Sequence, residues 1–205
     1  VQDGRIKLVS YPEMLAWDRF RADREGWPFW PCYSLGGNDV ILNNPDIKEY
    51  TCPVTGRRAW ALPAAKPDVV VIHGYQGDKY GNVRLQGHSM LPQAMDVEMA
   101  RSCSTVLVTL EELIDHAEIR KTPELTQIPA MRVSGVTPVA HGSHPLSTLL
   151  KCREDEAHMR LYAEAAKTPE GFREYLDRYV YSTADEQQYR QVIGEEQLAG
   201  LEEEE

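Results

Sequence analysis

The 205 residues, 42% of them hydrophobic, suffice for one sizeable core, which predicts one main α/β layer with a helical appendix. Lys and Arg number 22 against 32 Asp and Glu, a formal net charge of −10 without a basic stripe to track phosphates, which argues against nucleic acid as a partner. No apolar run approaches the ~20 residues that cross a bilayer, and the four scattered cysteines form no CxxC pair, so neither a zinc site nor a disulfide framework is suggested and a reducing cytoplasm is expected.

Val1 is not a methionine, and "VQDGRIKLVS" reads as a turn feeding a strand already inside a fold. "GRIKLVS" is a short strand candidate. In "YPEMLAWDRFRADREGWP" the apolar Met14, Leu15, Trp17 and Phe20 fall near helical spacing, closed by Gly26 and Pro28. "PFWPCYSLGGND" is an apolar run that ends in Gly36-Gly37-Asn38-Asp39, suited to a tight turn near a ligand or to a plain turn. A glycine loop at the C-terminal end of a strand is where open α/β sheets bind ligands. "CPVTGRRAW" reads as a hairpin with Thr55-Gly56 at its tip, part of a surface excursion.

"DVVVIHG" is a continuous β-branched run of the kind found in strands covered on both faces. A short helix "DVEMARSCS", a buried strand "TVLVTL" leading into "EELI", and a third strand within "IPAMRVSGVTPVAHGSHP" follow. Strands alternating with short helices predict a largely parallel sheet. After Leu150 the chain turns helical. Thr168-Pro169-Glu170 is an N-cap with Pro at the first helical position, Thr183 with Glu186 fits a capping box, and the acidic end "GEEQLAGLEEEE" reads as solvated. Residues 1–150 are thus expected to form the α/β core and 151–205 a helical extension.

His73, at the end of a buried strand, can serve as acid, base or ligand, or hold backbone in place. His141 and His144 in "AHGSHP" suggest a metal pair, but the loop supplies no carboxylate, so no metal is expected. Asp78 ahead of Gly81-Asn82 makes a good turn. No GxSxG, GxxxxGK[ST] or HExxH motif occurs, which removes the common hydrolase, nucleotide-binding and zinc-protease readings.

Taken together, "PDVVVIHGYQGDKYGNVRLQG", "ARSCSTVLVTLEELI" and "IPAMRVSGVTPVAHGSHP" resemble the A (α) subunits of family I coenzyme A transferases. Asp68, His73, Asp78, Gly81 and Asn82 match the first family segment. Val108, Thr109, Glu111 and Glu112 match the second, and Ile128, Pro129, Val133, Gly142, His144 and Pro145 the third. Gly77 stands where the family carries Ala, and Ala130 where it carries Gly. The helical tail looks like the glutaconate CoA-transferase type and like a related steroid-ring-opening hydrolase.

The resemblance implies an open, largely parallel sheet of the CoA-transferase (NagB/RpiA-like) type, with this chain matching the later part of an A subunit, its N-terminal part missing. It implies ping-pong transfer of CoA between an acyl-CoA and a carboxylic acid through a glutamyl-CoA intermediate, with the nucleophilic glutamate on a B (β) subunit. A cytoplasmic A2B2-type hetero-oligomer follows, with CoA thioester as substrate and no tightly bound cofactor. Ser34, Gly36, Gly37 and Asn38 are candidates to line the cleft with backbone donors. Glu13, aligned backwards from "PFWP", falls where the ring-opening hydrolases place an acidic catalytic residue. A carboxylate favoured by the start of a helix explains it equally. His73, Asp78, Gly81 and Asn82 are read as structural landmarks. The alternatives are a hydrolase subunit that opens a cyclic diketone CoA ester and a non-catalytic binding module of the same fold.

Overall fold

The computed structural model describes residues 4–33, 39–85, 94–149 and 151–202. Contacts divide the chain into two units, Val1–Val70 with Leu91–Val106, and Val71–Met90 with Leu107–Glu205.

In the first unit Pro12 opens helix α1 (Glu13–Arg24), which buries Trp17 and Ala22. Gly26, at φ 71°, stops the helix, with its N–H and that of Trp27 bonded back to Asp23 O and Ala22 O. Strand β1 (Phe29–Cys32), the short helix α2 (Val40–Asn43), β2 (Lys48–Thr51) and β3 (Arg58–Pro63) follow. The three strands form an antiparallel sheet in the order β1-β3-β2. The hairpin is where the sequence puts it, with Gly56 at φ 68°. Two expectations fail. Residues 4–10 form no strand and are largely exposed. Strand β1 pairs antiparallel with β3, so the rule that placed a ligand at its C-terminal end, which holds for parallel sheets, does not apply to it.

Ile47 and Leu62 centre the apolar cluster of this unit, with Leu15, Trp30 and Trp60 packed against them. Helix α3 (Ala94–Ser102) is fastened to α1 by Glu98, whose side chain is 9% exposed and lies 2.7 Å from Arg24 Nη1.

The second sheet has the order β5-β4-β6-β7, built from β4 (Val70–Gly77), β5 (Val83–Arg84), β6 (Val106–Leu113) and β7 (Gly135–Pro138). Val70 N bonds Thr105 O and, further along both strands, Ile114 N bonds Gly77 O, so β4 and β6 run the same way. Strand β7 is parallel to β6, from Leu107↔Gly135 to Leu110↔Pro138, and only β5 is reversed. The sheet is largely parallel, as expected. Its strands are not covered on both faces, however. Val70, Ile72, Val106, Val108 and Leu110 are buried, while Val71 and Leu107 between them stand 68% and 43% exposed. Successive strand side chains point to opposite faces, and the face of Val71 and Leu107 is covered only further along, where Glu111 is 6% exposed.

Helix α4 (His116–Lys121) ends on Arg84, whose Nη2 donates to Glu118 O, Thr122 O and Thr122 Oγ1, a cation at the negative end of the helix. The carboxyl-terminal part carries α5 (Glu156–Ala165), α6 (Pro169–Leu176), a π turn at Asp177–Tyr181, α7 (Glu186–Ile193) and α8 (Glu195–Ala199). Thr168 caps α6 as predicted, accepting from Gly171 N. Thr183 does not cap α7. Asp185 does, accepting from Gln188 N, while the Gln188 side chain accepts from Ala184 N. The Thr183 hydroxyl instead donates to Tyr179 O and Val180 O at the end of the π turn. Among the described residues no helix is long and apolar enough to cross a membrane.

Candidate functional site

Asp78 and Glu112 lie at the ends of β4 and β6, whereas His73, expected at a strand end, and Thr109 lie mid-strand because β4 continues to Gly77 and β6 to Leu113. Asp78, the residue after β4, is 0% exposed. Its carboxylate accepts from Tyr80 N, Asn82 N, Asn82 Nδ2 and His116 Nδ1 at 2.7–3.0 Å. Burial raises its pKa, but these bonds outweigh burial and hold the carboxyl below its ordinary value. Gly81 takes φ 95°, and a Cβ there would meet Val133 Cβ at 3.1 Å. Asn82 Oδ1 accepts from Ala130 N. The Asp-x-x-Gly-Asn spacing is therefore one corner: an acceptor, a left-handed residue and an amide that bridges to the next loop.

His73 on β4 and Thr109 and Glu111 on β6 share a face by the two-residue period. His73 Nδ1 lies 2.8 Å from Thr109 Oγ1, and Nε2 lies 2.8 Å from Glu111 Oε1. Glu111 also accepts from Thr148 Oγ1 at 3.0 Å and from His141 N at 2.7 Å. Burial pushes this carboxyl up, and the three bonds more than reverse that, leaving it below its usual value. With both oxygens occupied and its side chain 6% exposed, Glu111 is arranged to orient His73 and the 139–148 loop rather than to attack a substrate. Gly142 closes over the imidazole, and a Cβ there would stand 2.6 Å from His73 Cε1.

The next residue, Glu112, is 46% exposed. Its carboxylate accepts from Gln76 Nε2 at 2.7 Å and Lys151 Nζ at 3.2 Å, and the Gln76 bond is the chief reason its pKa is lowered. Lys151 Nζ also stands 5.2 Å from the centre of the Tyr75 ring. This is the solvent-facing polar group of the strand ends.

A further cluster joins the loop after β7 to the helices. His144 Nε2 is 3.1 Å from Asp155 Oδ2 and His144 Nδ1 is 2.7 Å from the Tyr189 hydroxyl. Asp155 Oδ1 caps α5 through His158 N, and Gln197 Nε2 donates to Oδ2 at 2.5 Å. His158 Nε2 meets the Tyr175 hydroxyl at 2.8 Å. Burial lowers the pKa of His158 and pushes Tyr189 up to about 12. His144, Asp155 and His158 are the residues among those described that could hold a metal ion. The loop itself offers no carboxylate, but the fold brings Asp155 to His144, which removes the sequence argument against a metal. His141 does not join this cluster; its Nε2 is 3.5 Å from Glu202 Oε1.

Glu13 stands exposed at the first position of α1, in the first unit. Ser34, Gly36, Gly37 and Asn38 lie outside the described residues. His73, Asp78, Gly81 and Asn82 all lie in the second unit, in two separate networks. Sequence reasoning did not find the role of Glu111 as acceptor for three groups, nor the partnership of Asp155 with His144. The Asp-x-x-His spacing of Asp155 and His158 at a helix start was the available signal for the second.

No protein-family model matches the chain. It is 30% identical over 214 residues to the A subunit of the glutaconate CoA-transferase of Acidaminococcus fermentans, covering 97% of this chain and 66% of that one. It is also 30% identical over 174 residues to the A subunit of the 3-oxoadipate CoA-transferase of Pseudomonas knackmussii, covering 85% and 60%. A third relative is the cholesterol ring-cleaving hydrolase IpdA subunit of Rhodococcus jostii, 30% identical over 193 residues and covering 90% and 64%. The chain thus spans about 60 to 66% of the length of these relatives. The crystal structure of the Acidaminococcus transferase superimposes on 99% of this chain with a TM-score of 0.89 and 25% identity, covering 68% of that structure's chain. Sequence and fold agree with the motifs around His73, Glu111 and His144: the chain belongs to the family of coenzyme A transferase A subunits.

Proposed function

We propose that the chain is the A subunit of a two-subunit enzyme that moves CoA between an acyl-CoA and a carboxylic acid, with the nucleophilic glutamate on a B subunit in an A2B2-type assembly. The observation that carries this reading is the match to the A subunits of two different CoA-transferases over 97% and 85% of the chain. In the proposed cycle the B-subunit carboxylate attacks the thioester carbonyl and expels CoA thiolate, giving a mixed anhydride. The thiolate then attacks the glutamyl carbonyl, releases the first carboxylate and leaves a glutamyl-CoA thioester, which the acceptor acid takes through the reverse steps. That Glu111 is saturated by donors agrees with a nucleophile placed elsewhere. Backbone donors of Ser34, Gly36, Gly37 and Asn38 would stabilise the oxyanion of each addition.

The test is to purify the chain with the subunit that accompanies it, add acyl-CoA and trap with hydroxylamine or borohydride. A glutamate modified on the second subunit is expected, and its absence in an active complex rejects the transferase reading. A second reading, hydrolysis of a cyclic diketone CoA ester, is favoured by the IpdA relative and by Glu13 at an exposed helix start. Under it Glu13→Gln abolishes turnover with no thioester trapped; under the transferase reading Glu13→Gln remains active.

A further inference from the structure

We propose that His144, Asp155 and His158 form a zinc-binding site, a property independent of the transferase reading. Their ligand atoms all lie within 4.8 Å of one another. The His144 and Asp155 side chains are 2% and 4% exposed, and His158 is buried. Around tetrahedral zinc, with bonds of about 2.0–2.1 Å, neighbouring donors stand roughly 3.3 Å apart. His144 Nε2 and Asp155 Oδ2 are 3.1 Å apart, so an ion between them asks for little movement of this pair.

The other ring nitrogens are already engaged, His144 Nδ1 by Tyr189 and His158 Nε2 by Tyr175. Metal-ligating histidines are held in this way, through the nitrogen that does not touch the metal. His144 Nε2 and His158 Nδ1 are left as ligand atoms. Uptake leaves the His144 ring with its proton on Nδ1, where the Tyr189 oxygen accepts it, and frees Nε2 for the metal. Two imidazoles and a carboxylate suit zinc and its borderline neighbours rather than magnesium or calcium, which take oxygen ligands.

A second observation points to a ligand on the same side. A cavity of about 320 Å³ is lined by His141, His144, Tyr179, Tyr189 and Leu198 among others. His141, its side chain 8% exposed, has a buried Nδ1 with no hydrogen-bond partner. A water on the fourth zinc position, entering from the cavity, gives that nitrogen the donor it lacks.

The test uses the native protein, purified without chelator together with any subunit that accompanies it, and probes it with Zn²⁺ alone and Co²⁺ alone. One zinc per chain is expected, Co²⁺ gives the intense visible absorption of a four-coordinate site, and chelation lowers the thermal midpoint until zinc is restored. His158→Gln, which can still bond Tyr175, removes the bound metal while circular dichroism is unchanged. His141→Ala keeps the stoichiometry and weakens binding about tenfold. Failure of the wild-type protein to hold or take up zinc at micromolar free metal overturns the site, and so does uptake that His158→Gln leaves unaltered. If His158→Gln does not fold, the wild-type titration and the cobalt spectrum decide.

Discussion

Asp78 and Asp155 are both buried aspartates that take bonds from backbone N–H groups, a side-chain amide and a histidine, yet they are assembled from different ranges of the chain. Asp78 draws on Tyr80 and Asn82, within four residues, and reaches further only for His116. Asp155 takes one local N–H, from His158, and completes its shell with His144 and Gln197, 11 and 42 residues away. The first is a turn that uses its tertiary contact as an addition. The second is a tertiary contact that happens to cap a helix.

The contrast can be broken by removing each acceptor. Asp155→Ala is expected to cost about 3–5 kcal/mol, because it deprives α5 of its cap and leaves buried donors from three separate segments unpaired. Urea denaturation should show a lower midpoint together with loss of the packing around Tyr189. Asp78→Ala should cost about 3 kcal/mol by the same measurement, with damage confined to the corner at residues 78–82. Gly142→Ala is expected to cost about 2 kcal/mol, since the added methyl overlaps the His73 ring and backbone must give way. His116→Ala should cost about 1 kcal/mol, because this histidine side chain is 42% exposed and water replaces it.

Acid sharpens the same comparison. Asp78 and Glu111 have folded pKa values held below their ordinary ones. The stability they contribute is fully present above the unfolded-state values near pH 4 and is lost as pH falls through the lower folded values. The denaturation midpoint should therefore fall below about pH 4 on account of these two carboxylates, after an earlier decline below about pH 6.5 from His158, whose folded value burial lowers. In Asp78→Asn the fall should be shallower.

What was legible in the sequence follows the same division. The Asp78 corner could be read as a turn because acceptor, left-handed glycine and amide lie within five positions, and α1, the hairpin and the strands around His73 and Thr109 announce themselves by local pattern. The function of Glu111 could not be read, because its partners lie 30 to 38 residues away and meet it only once β4, β6 and the following loop are packed. "GRIKLVS" has the alternation of a strand, but alternation does not supply a neighbour to pair with. The Thr183 cap was displaced by two residues, because Asp185 is an equally good acceptor and the π turn claims the threonine hydroxyl. The family was accessible from motifs whose residues bond one another and the neighbouring backbone.

Pro138, the last residue of β7, bears on how the protein behaves in a crowd. Val139 N points inward to Leu110 O, so by alternation the nitrogen of Pro138 faces away from β6, toward what is the margin of this sheet among the described residues. There the ring costs the fold no ladder bond, and it denies an incoming strand one donor. Together with the brevity of β7, this makes the margin a poor template for edge-to-edge aggregation, the hazard that any open sheet carries.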